Sequence, residues 1–147
     1  MAMVTPEVQF LARCIKELND ATNEMLETYQ EVKKLLLKLN EKKEAHEKER
    51  INYYDASLYS EQELRKRKDR DIPTIEKEIM SLFSDEKVKK NNFIKAKEEE
   101  IKVDEEYKKA INIKEIAEKK YYDAVKKVEL AWEPAKDSIT LGIDYKN

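Results

Sequence analysis

At 147 residues, 42% charged and 40% hydrophobic, the chain has room for one domain or one long helical assembly. Its single glycine, Gly142, excludes glycine-based phosphate cradles and tight hairpins upstream, because those loops use positive-φ backbone. The 30 basic and 32 acidic residues are mixed to a formal charge of −2, without the basic excess of a general nucleic-acid binder. High Glu, Lys, Leu and Ala content points to long helices.

Cys14 is alone, so neither an intrachain disulfide nor a cysteine-based zinc cluster can form. The longest apolar run, Leu35-Leu36-Leu37, is far too short to span a bilayer. No basic region followed by an apolar core opens the chain, so no signal peptide is apparent. A cytoplasmic protein is the expectation.

Thr5-Pro6-Glu7 reads as a helix start: a cap, a proline suited to the first helical position, and an acid near the positive dipole end. A heptad seam then runs through Val8, Leu11, Ile15, Leu18, Thr22, Met25, Tyr29, Val32, Leu36 and Leu39. Beyond Leu39 the core-type positions turn polar, at Lys43, His46 and Arg50. Helical propensity stays high there, so the helix continues with its seam loosely covered. Ile51, Tyr54 and Leu58 return one position off that register, which predicts a change of neighbour or a relaxed supercoil.

Pro73 marks the clearest boundary. It disfavours helical backbone at Ile72 and predicts a turn near 70–73. Ile72, Ile75, Ile79 and Leu82 begin a second helical period. Ser84-Asp85-Glu86 could cap a fresh helix and Asn91-Asn92 could bend it, so a bend is expected near 84–92. Phe93 to Trp132 then organises the chain. Ala96, Val103, Ala110, Ala117, Ala124 and Ala131 recur every seventh residue beside Phe93, Glu100, Tyr107, Lys114, Tyr121 and Val128. Small residues along one line of a heptad seam predict close helix packing. Pro134 is expected to stop this helix, leaving 137–147 as a flexible tail.

The resulting expectation is an all-α fold, an elongated antiparallel coiled coil or bundle of two to four helices over residues 1–136. Ile94, Ile101, Ile111, Val125 and Trp132 widen the apolar stripe beyond one seam. A third helix or a second copy should cover it, and two-fold pairing is the commoner route. The expected partner seam uses Leu11, Ile15, Leu18, Val32, Leu36, Leu39, Tyr107, Ala110, Ala117, Tyr121, Ala124, Val128 and Trp132.

Candidate chemistry is sparse. His46 lies between Glu44 and Glu47 without a second His or Cys at ligand spacing, so a seam-lining or solvated histidine outweighs a metal ligand. Cys14 reads as a small buried or half-buried thiol. The acidic runs 98–100 and 104–106 would need a cleft to act as acid and base. They read instead as a solvated face with Glu98–Lys102, Glu105–Lys109, Glu115–Lys119 and Asp123–Lys127 pairs. The doublets Tyr53-Tyr54 and Tyr121-Tyr122 each put one ring in a seam and one at its edge. Arg65, Lys66, Arg67, Lys68 and Arg70 form the one local basic cluster, a solvated turn or a contact for anionic lipid or an acidic partner. No catalytic, cofactor or metal residues are assigned.

Tyr107-Lys-Lys-Ala110 followed by Ala117-Glu-Lys-Lys-Tyr-Tyr-Asp-Ala124 resembles the helices of BAR and F-BAR modules. That resemblance implies an antiparallel helical dimer that binds and bends membranes through basic surfaces. Leu18-Asn-Asp-Ala-Thr-Asn-Glu24 is similar to a segment of the coiled-coil Rab exchange factors related to SH3-domain-binding protein 5. Neither resemblance assigns a site residue. The expected function is a non-enzymatic scaffold that pairs with itself and with another protein; a module for anionic membrane surfaces is the alternative, and nucleic acid is disfavoured.

Overall fold

The computed structural model describes residues 4–66 and 72–146, with side chains described for 4–66 and 76–139. Two long helices, α1 (Pro6–Lys66) and α2 (Ile72–Lys146), pack against each other, with no strand among the described residues. They form two units. The first joins Met1–Lys34 to Lys108–Asn147, and the second is Leu35–Tyr107.

The start of α1 follows from its sequence. Thr5 Oγ1 accepts the Val8 amide at 3.3 Å, and the Thr5 carbonyl accepts the Gln9 amide at 3.0 Å. Pro6, whose missing N–H costs nothing in the first turn, opens a helix of 61 residues. Pro73 sits in the first turn of α2, where its backbone is equally at home. The turn expected near 70–73 otherwise lies outside the described residues, as do Arg67, Lys68 and Arg70.

In the first unit, rising α1 numbers meet falling α2 numbers: Glu17 with Lys127, Glu24 with Lys120, Tyr29 with Glu118. The helices are therefore antiparallel. Leu11, Cys14, Ala131 and Ala135 form a buried cluster, flanked by half-buried Val8 and Val128. The second unit repeats the pattern through Lys42 and Glu99, His46 and Glu100, Tyr53 and Phe93, Ser57 and Glu86.

The α2 seam matches the heptad reading. Ala96, Val103, Ala110, Ala117, Ala124 and Ala131 are all buried, with Phe93, Glu100, Tyr107, Lys114, Tyr121 and Val128 half-buried beside them. Trp132 is the exception, 47% exposed one residue past the seam.

The α1 seam needs a correction at alternate positions. Leu11, Leu18, Val32 and Leu39 lie on the seam as expected, buried or half-buried. Ile15, Tyr29 and Leu36 are exposed, and the residues before them, Cys14, Thr28 and Leu35, turn inward instead. Thr22 is half-buried, as is Ala21. Both phases keep 3–4 spacing with the shared line through Leu11 and Leu18, so periodicity alone does not choose between them. Size chooses. Closely approaching helices favour small residues at the contact, and Cys14, Ala21 and Thr28 fit opposite an alanine line where Ile15 and Tyr29 would hold the backbones apart.

That phase continues without a break into the second unit. Lys42, His46, Glu49, Tyr53, Ala56 and Ser60 are buried or half-buried, while Lys43, Arg50, Ile51, Tyr54 and Leu58 are exposed. No change of register occurs at Ile51. The apolar residues that suggested one belong to the outer surface.

Two expected interruptions of α2 are absent. Residues 84–92 are helical throughout, so Ser84 caps no fresh helix. The helix also passes Pro134 and continues to Lys146, in place of a stop followed by an extended tail. Proline removes one helical N–H and crowds the carbonyl four residues earlier, that of Leu130. Pro134 and Leu130 are both exposed, while Ala131 and Ala135 on either side are buried. Seam packing across the proline offsets the lost bond.

Candidate functional site

The polar part of the second unit's seam is its most distinctive feature. His46 Nδ1 hydrogen-bonds to Glu100 Oε2, both side chains being about three-quarters buried. The imidazole also lies 5.2 Å from the Phe93 ring, which in turn is 5.9 Å from Tyr53. Nε2 is buried and has no hydrogen-bond partner among the described residues. Lys42 Nζ adds an ion pair to Glu99 at 3.2 Å. The single histidine is a seam residue, and no metal-binding group of His, Cys, Asp and Glu exists among the described residues.

Beside the seam, the first unit has two unlike flanks. One carries the ion pairs Glu17–Lys127 at 3.7 Å and Glu24–Lys120 at 3.4 Å. Phe10, Ile113, Ile116 and Leu130 are also exposed on that side, Phe10 under the Arg13 guanidinium at 5.9 Å. The opposite flank follows each inward residue by one position and mixes apolar side chains with Asn19, Lys33, Glu115, Glu129 and Lys136. From α1 it presents Ile15 and Tyr29, with Leu26 beyond them; from α2 it presents Ile111, Val125, Trp132 and Ile139, with Tyr122 beyond. A cross-helix polar bond runs along it from the Tyr29 hydroxyl to Glu118 Oε1 at 2.7 Å. That bond, more than partial burial or the charges of Glu118 and Tyr122, holds the Tyr29 phenol above its ordinary pKa.

In the second unit the same kind of flank is basic. Lys43, Arg50, Lys87, Lys90 and Lys97 are exposed there, interleaved with Phe83, Ile94 and Ile101. Arg50 is held by Glu47 through Nε at 2.9 Å and Nη2 at 2.6 Å. This bidentate bond lowers the Glu47 pKa and raises that of Arg50. Lys43, Lys87, Lys90 and Lys97 make no ion pair among the described residues. An open groove of about 550 Å³ runs between Tyr53 on α1 and Phe83, Glu86, Lys87, Lys90 and Ile94 on α2.

The residues expected to contact a partner divide accordingly. Leu11, Leu18, Val32, Leu39, Tyr107, Ala110, Ala117, Tyr121, Ala124 and Val128 line the chain's own α1–α2 seam. Ile15, Leu36 and Trp132 face outward. In each tyrosine doublet one ring, Tyr53 or Tyr121, reaches the seam and the other stays outside. Within the basic cluster, Arg65 bonds Glu61 at 2.6 Å and Lys66 bonds Glu63 at 3.5 Å along their own helix. The four acid–base pairs expected along α2 do not form. Lys127 reaches Glu17 across the seam, and Lys114 takes Glu118 at 3.6 Å.

The basic flank was missed because its lysines are scattered singly along the sequence. Only the correct phase of α2, one residue past each seam position, collects Lys87, Lys90 and Lys97 on one side. No protein-family model, curated protein or solved structure matches the chain. No helix among the described residues is long and apolar enough to cross a membrane.

Proposed function

We propose that this chain is a non-catalytic coiled-coil scaffold that pairs with a second copy of itself through the apolar flank of its first unit. The observation that carries this reading is the line of Ile15, Tyr29, Val125, Trp132 and Ile139, which lies opposite the flank with the cross-helix ion pairs. The seam between α1 and α2 supplies little large-side-chain burial of its own. No large side chain is fully buried among the described residues, and the buried α2 positions are mostly alanine. Covering one isoleucine, valine or tryptophan contributes about 1.5–3 kcal/mol, so a second layer adds what the first lacks.

A second copy suits this flank electrostatically. Among its apolar residues stand Lys33 and Lys136 with Glu115 and Glu129, so two-fold pairing brings both signs together. Sedimentation equilibrium tests the reading. The full chain should be a dimer at micromolar concentration. Replacing Ile15 and Trp132 by Glu should give a monomer with its helical signal retained. A wild-type monomer, or a dimer indifferent to both substitutions, would sink the proposal.

A further inference from the structure

We infer that the basic flank of the second unit, formed by Lys43, Lys87, Lys90 and Lys97 beside Tyr53, is a docking surface for an acidic amphipathic helix of another protein. Along α2, Phe83, Lys87, Lys90, Ile94, Lys97 and Ile101 keep 3–4 spacing, each one residue past a seam position. This is a second heptad line on the same helix. Such a line meets another helix, because only an α-helical partner presents side chains at matching pitch. Phe83, Ile94 and Ile101 are each about half exposed, and the groove beside Tyr53 is open to receive an apolar ridge.

Charge selects the partner. The four lysines lack carboxylate partners among the described residues, whereas Arg50 is already neutralised by Glu47. Two-fold pairing of this flank with itself would set lysine against lysine, which costs energy and disfavours a second copy here. The nearby acids are engaged: Glu86 accepts from Ser57 at 2.8 Å at the groove's edge, Glu61 is held by Arg65, and Asp104, next on the same line past Ile101, has a partner of its own. A helix with leucines in its stripe and glutamates on either side complements both the apolar and the cationic positions. A phosphate-bearing surface would satisfy the lysines but leave Ile94 and Ile101 without partners.

The test uses the full-length chain and a fluorescein-labelled peptide roughly four heptads long, with leucine at a and d and glutamate at e and g. A counterpart with lysine for glutamate is the charge control. Anisotropy should show binding of the acidic peptide only, weakening as salt rises. Lys87→Glu, Lys90→Glu and Lys97→Glu together should weaken it by at least about tenfold, and Lys90→Glu alone should weaken it less. The pair Lys95→Glu and Lys102→Glu, on another side of α2, should leave it unchanged. Circular dichroism and sedimentation of every variant should match wild type, which separates this result from any failure of self-pairing. Equal loss in both sets of variants would overturn the inference, as would no binding of the acidic peptide. Binding to phosphatidylserine vesicles without peptide binding would assign the flank to membranes instead.

Discussion

Tyr29 donates its hydroxyl hydrogen to Glu118 Oε1 across 2.7 Å, joining residues 89 positions apart, while Lys114 Nζ stands 5.0 Å from the Tyr29 ring centroid. Lys114 also pairs with Glu118 at 3.6 Å, so ring, carboxylate and ammonium close a small network over the seam. Exposed Tyr29 thus marks both the α1–α2 alignment and the edge of the apolar flank.

That network predicts a pH dependence. The neutral phenol is the form that donates, so the folded-state pKa of Tyr29 is raised above its ordinary value. The bond's contribution is complete below about pH 10 and is lost as pH climbs through the folded-state value. Tyrosinate absorbance of wild type minus Tyr29→Phe should show this late-titrating group. Glu118→Gln should bring it back toward the ordinary range. A Tyr29 that ionises within the ordinary phenol range would contradict the bond.

The phase of the α1 seam is equally testable. Cys14 is 2% exposed and Ile15 42%, though they are neighbours. Cys14→Leu should force the Ala131–Ala135 surface outward and cost about 1–3 kcal/mol, as should Ala124→Leu. Lys126→Leu, on the outer face, should be nearly neutral. Urea denaturation of the three variants decides it, since equal effects would put the seam on another side of α1.

Much of the fold was legible in the sequence, and the failures share one cause. The α2 seam could be placed because alanine recurs every seventh residue beside larger side chains, leaving one phase. Along α1 both Cys14 and Ile15 are apolar, and the larger residue fits the pattern better; Leu35 and Leu36 are identical, so the pattern does not separate them. Bulk marks an interior position only where space exists, and an alanine line leaves little. The helix stop at Pro134 failed for a related reason: Ala135 and Ser138 extend the seam past the proline.

Pro134 carries its own prediction. Proline is about 3 kcal/mol less favourable than alanine within a helix, and its exposed ring contributes no seam contact to offset the loss. Pro134→Ala should therefore raise the thermal midpoint, followed by circular dichroism, with no change in helical content at low temperature. An unchanged or lowered midpoint would mean that the proline holds a geometry which Ala131 and Ala135 need.

The last prediction concerns the polar layer at His46 and Glu100, which sits where a coiled coil ordinarily places apolar side chains. A polar pair at such a position specifies alignment, because any slip of one helix leaves both groups buried beside apolar neighbours. Phe93 packs beside the imidazole and Tyr53 beside Phe93, and Val103 is the next buried α2 residue. Glu100→Leu should strand Nδ1–H, and His46→Leu should strand the carboxylate, so each single change destabilises the second unit. Replacing both by leucine removes the unmet groups together and should cost less than the sum of the two. The coupling expected from a double-mutant cycle in urea is about 0.5–3 kcal/mol. The double variant should also relax alignment, which spin labels at Lys48 and Lys95, both in the second unit, would report as a broadened distance distribution. Strict additivity together with an unchanged distribution would reduce the pair to a tolerated defect in the seam.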